Sequence, residues 1–199
     1  MPRPQNLELR SALLHAAMDL LDTEGPEFSL RTLADSVGYT VTAVYRCFAN
    51  RGALLTAMQL ELFETLNNTI ALSVAEPQDE IAVLIGHLGE QFLAWAMAHP
   101  VRYQFMFVSA APEVLLSGAD RDRAQAPLHM LAGLLQQGME SGELRVHDPK
   151  MTAIFLFSAI HGFASLCCAH RLDGLLDTSP QEAFSKWYGS WILTLKASV

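Results

Sequence analysis

The sequence has few cysteines and few basic residues, and both shortages restrict its function. Three cysteines stand among 199 residues and two of them are adjacent, so no framework of spaced disulfides is present. Together with the lack of a charged-then-apolar leader, this predicts a cytoplasmic protein in a reducing compartment. Lysine and arginine number 13 against 21 acidic residues, which gives a net charge of -8. That balance argues at first against a polyanionic partner, because phosphate binding draws on basic side chains.

The sequence also lacks the motifs of common enzyme classes. It has no Gly-x-Ser-x-Gly elbow, no lysine-bearing phosphate loop and no Gly-x-Gly-x-x-Gly after a strand. Its histidines are scattered without a His-x-x-x-His spacing, and Cys167 with His170 supplies only part of a tetrahedral metal set. We therefore expect no enzyme, no metal site and no cofactor.

Long apolar runs are limited to one stretch. Residues 151–169 carry no formal charge, which is long enough to raise the possibility of a membrane span. Thr152, Ser158, His161 and Ser165 interrupt the run with polar groups. We interpret it instead as a helix buried between other helices or in a subunit interface, and expect no membrane partner.

Helical periodicity extends along the whole chain, so the predicted fold class is all-α. Apolar residues recur at helical spacing, the breaks carry proline, glycine or aspartate, and no alternating strand pattern of useful length occurs. The stretch 111–125 is the best candidate for a mobile polar loop. We predict helices over about residues 7–24, 30–37, 41–48, 53–76, 78–99, 100–109, 120–140, 149–171 and 179–196.

A short segment near the N-terminus has the pattern of two small helices packed across a tight turn. Ser29 and Thr40 are placed to cap the two helices. The segment also has a small residue for the helix crossing, a glycine for a left-handed turn and a branched apolar plug, at Ala34, Gly38 and Val44. This arrangement leaves the second helix free to enter a DNA major groove. The alternative is an ordinary helix pair inside an α-bundle.

On these residues the sequence resembles the TetR family of transcriptional repressors. The head match rests on Phe-Ser-Leu-Arg-Thr-Leu-Ala-Asp-Ser-Val-Gly at 28–38, on Val44-Tyr45 and Phe48, and on Asn-Arg-Gly-Ala-Leu-Leu at 50–55. It covers about residues 8–60. Two further segments, at 99–107 and 160–164, resemble the family's WHG-type C-terminal domain, although the tryptophan that names that motif is absent before His161.

The resemblance implies a three-helix helix-turn-helix head over residues 1–52, joined by a long helix to a helical-bundle body over 53–199 for ligand binding and dimerisation. It implies a cytoplasmic homodimer that represses from a palindromic double-stranded DNA operator and is released by a small apolar or aromatic effector. The alternative is a helical ligand-binding or adaptor dimer that no longer reads DNA. The first 60 residues support that alternative, because five arginines stand against six carboxylates and lysine is missing.

The resemblance places the DNA contacts on the second and third helices. Arginine grips guanine or phosphate with forked donors, threonine donates to either, and the methyls of valine and threonine suit the thymine methyl. Arg51 replaces the lysine usual at the start of the fourth helix, whereas Cys47 stands where the family often has histidine and is left out. The alternatives are that Tyr45 packs on the first helix and that Arg51 is a solvated cap. The predicted DNA-binding residues are Arg31, Thr40, Val41, Thr42, Tyr45, Arg46 and Arg51.

Aromatic and sulfur-bearing side chains in the body form the predicted effector pocket, because ligand sites are typically apolar with few polar anchors. Core packing is the alternative for each, and His161 in particular fits a core histidine bonded to a carbonyl. The predicted set is Phe92, Trp95, His99, Tyr103, Met106, Phe107, Met130, Phe155 and His161.

The last two helices carry the predicted dimer interface, as a four-helix contact with the symmetry mate. The alternative is that the same side chains bury one another within one subunit. The predicted interface residues are Ile154, Phe157, Phe163, Leu166, Trp187, Trp191, Ile192 and Leu195.

Overall fold

A computed structural model describes residues 4–73, 80–107, 118–145 and 148–196, and within these ranges the fold consists of α-helices. The all-α prediction is confirmed, since β-pairing in the described ranges amounts to an isolated bridge between Leu144 and Lys196. The helices are α1 (Pro4–Glu24), α2 (Leu30–Ser36), α3 (Val41–Cys47), α4 (Arg51–Ser73), α5 (Ile81–Ala98), α6 (Pro100–Phe107), α7 (Gly118–Ala124), α8 (Ala126–Glu140), α9 (Pro149–Cys168) and α10 (Pro180–Leu195).

The helix ends in the head are fixed by the local signals that the sequence shows. Ser29 Oγ accepts a hydrogen bond from the backbone N–H of Thr32 at 3.0 Å, and Thr40 Oγ1 accepts one from Ala43 at 3.3 Å. Gly38 has a φ of 71°, in the left-handed region that a side chain disfavours. The predicted caps and the turn glycine are therefore confirmed.

The predicted mobile loop over 111–125 is wrong for its second half, where residues 118–124 form α7. Asp120 in the first turn and Arg123 in the last turn complement the helix dipole, which stabilises this short helix. The predicted helix over 120–140 is also interrupted at Gln125, because Pro127 has no N–H to continue the ladder. Residues 111–117 lie outside the described ranges.

The chain divides into two compact units, and the first comprises Met1–Glu64 and Val101–Arg123. In it α1, α2 and α3 pack on one another, and Tyr103 of α6 is fully buried. Gln59 Nε2 donates to the Met106 carbonyl at 2.9 Å. This unit extends beyond the predicted head, but packing units and functional domains are different divisions. The functional boundary after residue 52 stays a prediction.

The second compact unit comprises Thr65–Pro100 and Ala124–Val199, and its centre is α5, which packs against α8, α9 and α10. Two glycines of α5 lie directly under aromatic rings of α10. A Cβ on Gly89 would lie 2.4 Å from Phe184 Cζ, and one on Gly86 would lie 2.8 Å from Tyr188 Cε1. The absence of side chains at these positions is what allows the two helices to approach so closely.

The N-terminus of α5 is capped from a distant part of the second unit. Glu80 makes no side-chain cap of its own, and the Glu143 carboxylate instead accepts from Ile81 N at 3.1 Å and Ala82 N at 2.9 Å. A carboxylate at a helix N-terminus satisfies free N–H groups and complements the dipole. The start of α5 is thus tied to the segment that follows α8.

Two helices, α5 and α9, have the length and apolar composition of a membrane span, a test that core helices of water-soluble proteins also pass. Half of the α5 residues in that window are buried, as expected of a core helix. Only 17% of the α9 window is buried, at a mean hydropathy of 1.7. Of the two predicted settings for this helix, burial between other helices of one chain is therefore not what the structure shows.

We predict that Gly89→Ala destabilises the second unit, because the new methyl would force the buried Phe184 ring from its place on α5. The expected loss is about 1–2 kcal/mol in the free energy of unfolding, measured by urea denaturation. Gly133→Ala on α8 is the matched control, since a Cβ there meets nothing within 4 Å. That control should be neutral or stabilising by up to about 1 kcal/mol. Equal behaviour of the two variants would contradict the close-approach argument.

Candidate DNA-binding surface and effector cavity

The third helix has one buried and one exposed face. Ala43 and Val44 are 8% and 0% exposed and anchor α3 to the other head helices. Thr42, Tyr45 and Arg46 are exposed, and their i, i+3 and i+4 spacing places them on one face. Tyr45 is 53% exposed, so the alternative of a ring buried against α1 does not hold. A short anchored helix with such a face fits a DNA-reading helix.

The other predicted DNA contacts on α2 and α3 have different settings. Arg31 extends from α2 with its side chain 85% exposed, beside Asp35 at 3.9 Å. Such an exposed pair contributes little and leaves the guanidinium open to a phosphate. Thr40 is exposed and uses an oxygen lone pair as the helix cap, so its hydroxyl hydrogen can still be donated. Val41 is half-buried at the first turn.

Arg51 lies half-buried within the head, where it makes contacts that the sequence did not predict. Its guanidinium donates to the backbone carbonyls of Phe28 and Pro26, and Arg51 Cζ lies 5.6 Å from the centroid of the Phe28 ring. Asn50 supplies the cap of α4, since its Oδ1 accepts from Ala53 N at 2.8 Å. Arg51 therefore ties the start of α4 to the loop between α1 and α2. The sequence carried no local signal for this role, because the partners are more than twenty residues away.

Cys47, which we left out of the predicted set, lies half-buried at the end of α3. Burial raises the pKa of its thiol, although the charges of Arg10 and Arg46 act in the opposite direction. The side chain is therefore neutral at physiological pH and adds no charge to the surface.

The predicted effector residues are divided between the two compact units. Three of them belong to the first compact unit, where Tyr103 and Met106 are buried and Phe107 meets Phe63 edge to face at 5.5 Å. These side chains pack as core of that unit. Burial here is what the core alternative expects of Tyr103 and Met106, and their place in the effector site stays a prediction.

The remaining members belong to the second unit and also differ in setting. Trp95 is buried and contacts His99 edge to face, and Phe155 is 69% exposed. His161 stacks on Phe157 at 5.7 Å, and burial lowers the pKa of its imidazole. Met130 is half-buried on α8. Among the predicted effector residues, Phe92 lines an apolar cavity in the described part of this unit.

The cavity lies among α4, α5, α8, α9 and α10 and has a volume of about 50 Å³. No charged side chain of the described residues lines it. The Tyr188 hydroxyl donates to the Ala82 carbonyl, and burial, reinforced by the charge of Glu143, raises the pKa of this phenol well above its ordinary value. The lining residues are Ile70, Ile85, Leu88, Gly89, Phe92, Pro127, Leu131, Leu156, Phe157, Ile160, Phe184, Trp187 and Tyr188.

The predicted dimer residues on α9 and α10 are mostly accessible in the single chain. Ile154, Leu166 and Trp187 are 42%, 45% and 42% exposed. Ile192 is 7% exposed, so this residue belongs to the core of its own subunit, as the alternative had it. The half-buried members are Phe157, Phe163, Trp191 and Leu195.

Two protein-family models match the sequence, one in its N-terminal part and one in its C-terminal part. A model described as bacterial regulatory proteins, tetR family, matches residues 13–58. A second, described as Tetracyclin repressor-like, C-terminal domain, matches residues 85–187. Both segments that resemble the WHG-type domain lie inside the second match, and that finer assignment stays a prediction.

Individual proteins similar to this chain are also described as transcriptional regulators. An HTH-type transcriptional regulator of Mycobacterium tuberculosis is 26% identical over 137 residues, which cover 65% of this chain and 56% of that protein. The match thus spans little more than half the length of this relative.

Solved structures share the fold over nearly the whole chain. A Rhodococcus sp. RHA1 protein of unknown function matches with a TM-score of 0.83 at 24% identity, covering 94% of this chain and 95% of that one. A TetR family transcription regulator from Marinobacter aquaeolei VT8 matches with a TM-score of 0.72 at 14% identity, covering 99% and 100%. Because the C-terminal family model alone matches more than half of the sequence, the chain belongs to the TetR family of bacterial regulatory proteins.

Proposed function

We propose that the chain is a cytoplasmic, homodimeric DNA-binding regulator, and not an enzyme, that represses from a palindromic operator until a small apolar effector releases it. The observation that carries the proposal is the outward face of α3, where Thr42, Tyr45 and Arg46 are exposed. The opposite face is buried and the helix start is capped by Thr40. Such support holds reading side chains in a fixed orientation toward a groove.

Each of the three exposed side chains has a chemical counterpart on a duplex. Arg46 matches the paired acceptors of guanine or a phosphate, and the Thr42 methyl suits the thymine methyl. The Tyr45 phenol can donate to a phosphate and so fix the register of the helix. Selection of bound sequences from a random DNA pool tests this directly. A recovered palindrome supports both reading and dimer symmetry, and an unenriched pool contradicts the proposal.

The homodimer is supported by the composition and exposure of α9. The helix carries Ile154, Phe155 and Leu166 at exposures of 42%, 69% and 45%, and Trp187 of α10 is 42% exposed. Large exposed apolar side chains concentrated on one helix point to a face that a partner covers. A two-fold dimer requires a palindromic operator, with half-sites about one DNA turn, roughly 34 Å, apart.

Control by a ligand follows from linkage. An effector that binds one conformation of the second unit more tightly than another shifts the population toward it. If the two conformations differ in affinity for the operator, the effector changes DNA binding by its differential affinity. The apolar cavity among α4, α5, α8, α9 and α10 supports an effector site in this unit.

The second candidate function is an adaptor or ligand-binding dimer that no longer reads DNA. The observation that favours it is the head charge, near -1 over the first 60 residues and without lysine. Titration of a fragment from the gene's own upstream region at several salt concentrations separates the two functions. A salt-dependent affinity supports the regulator, whereas no binding at low salt supports the adaptor.

We predict that Tyr45→Ala and Arg46→Ala each weaken operator binding while the dimer stays intact. Loss of one good base or phosphate contact costs about 1–3 kcal/mol, or roughly 5- to 150-fold in affinity. Fluorescence anisotropy with a labelled operator measures the affinity and light scattering measures the mass. Arg145→Ala, an exposed arginine of the second unit, is the matched control and should bind like the parent. Parental affinity in both head variants would remove them from the reading face.

We predict that Leu166→Glu converts the dimer to a monomer, because it would bury a charge without a partner in the proposed interface. Light scattering across a range of protein concentrations measures the effect. Leu175→Glu is the control, since Leu175 is 74% exposed and lies beyond the end of α9. The interface assignment is wrong if Leu166→Glu keeps the dimeric mass.

We predict that Arg51→Lys lowers the stability of the head by about 1–2 kcal/mol, because lysine lacks the fork that reaches two carbonyls. Thermal unfolding measures this loss. The slope of operator affinity against salt should stay unchanged, since the variant keeps the charge. Parental stability of the variant would contradict the role of the carbonyl contacts and favour the phosphate clamp that the family resemblance implies.

A further inference from the structure

The cavity in the second unit is suited to an uncharged ligand. Among its described lining residues, polar side-chain atoms are limited to the Tyr188 hydroxyl and the Trp187 indole N–H. The hydroxyl is already used, since it donates to the Ala82 carbonyl. A carboxylate, phosphate or ammonium group placed here would lose its hydration without gaining an oppositely charged partner. An uncharged apolar molecule loses no such hydration when it enters the cavity.

A second apolar space adjoins this cavity. It has a volume of about 420 Å³ and is lined by Ala159, Phe163, Leu176, Ala183, Phe184 and Trp187. Phe184 and Trp187 line both spaces, which therefore adjoin at these two rings. Phe163 and Trp187 also belong to the predicted dimer interface, so a partner subunit on α9 and α10 would close the larger space from outside. The first space is too small by itself for an aromatic effector, because a cavity that holds benzene measures roughly 150 Å³.

Phe184 is the buried member of this shared lining. The residue is 4% exposed, whereas Trp187 is 42% exposed. The Phe184 ring rests where Gly89 of α5 has no side chain, and its centroid lies 5.8 Å from that of Trp187. No hydrogen bond fixes a phenyl ring, so it is held by packing alone.

We propose that the two spaces are one binding site for an elongated, uncharged apolar molecule, with the Phe184 ring as the partition that this ligand displaces. The inference deepens the effector site of the proposed function and rests on that function only for the link to DNA. The small space holds one end of the ligand and the larger space holds the rest. The ligand replaces ring contacts with its own apolar contacts, which makes the exchange feasible.

The test uses two probes that share a ring system and differ in charge. N-phenyl-1-naphthylamine is neutral, and 1-anilinonaphthalene-8-sulfonate carries an added sulfonate. Fluorescence titration of the full chain should give an affinity for the neutral probe at least about tenfold higher, because the sulfonate finds no partner. Equal affinities, or tighter binding of the anion, would overturn the proposed ligand class.

Variants locate the neutral probe. Phe184→Leu removes the partition but keeps an apolar side chain, and should tighten binding at least about fivefold because no ring must be displaced. Ala183→Leu narrows the larger space and should weaken binding at least about tenfold. Leu175→Ala, which lines neither space, is the control and should change nothing. Unchanged binding in both folded test variants would overturn the joined site; circular dichroism and thermal unfolding report whether each variant folds.

A measurement of operator binding beside the probe titrations separates this inference from the proposed function. If the chain binds the neutral probe at this site but binds no operator, the joined site stands and the regulator proposal fails. If operator binding is normal and the probe data fail the tests above, the regulator stands and the joined site is wrong. Release of the operator by the neutral probe, lost at matched probe concentration in Ala183→Leu, supports both.

Discussion

The close approach of α5 and α10 determines the architecture of the second unit. Gly86 and Gly89 leave room for Tyr188 and Phe184, and substitution by any larger residue would meet a ring within 3 Å. The Tyr188 hydroxyl bonds to Ala82 in the first turn of α5, the same turn that Glu143 caps. Lys196 Nζ also pairs with Glu80 Oε2 at 2.9 Å. Packing, a cap and an ion pair thus fix one end of α5, and the cavity forms farther along the same helix.

The two apolar helices α5 and α9 differ in how much of their surface the described chain buries. Helix α5 buries its apolar side chains inside the subunit, because α8, α9 and α10 pack on it. Helix α9 is more apolar and far less buried, which supports the proposal that a partner subunit covers it. Trp187 takes part in both settings, since it lines the cavity on α5 and is also exposed beside α9. The proposed effector site and the proposed dimer contact therefore share a side chain.

The sequence predicted what local interactions determine and missed what distant ones determine. Ser29, Thr40 and Gly38 act within three or four residues, so caps and turn were readable directly. Arg51 and Glu143 act on groups 23 to 62 residues away, and no periodicity reports such a pairing. The predicted effector set meets the same limit, since its members divide between the two compact units. Helical spacing indicates which face is buried but not which neighbour it meets, so core residues of the first unit were grouped with Phe92.

The weak charge of the head bears on how such a regulator can be switched. With five arginines, no lysine and Arg51 engaged by backbone carbonyls, a single head has few cations for phosphates. Appreciable operator affinity then requires that both heads bind their half-sites at once. Because the dimer links the two heads, binding of one raises the effective concentration of the other at its half-site. An effector need not abolish either contact. It is enough that it favours a dimer whose heads no longer match the half-site spacing, and a differential affinity of a few kcal/mol achieves that shift.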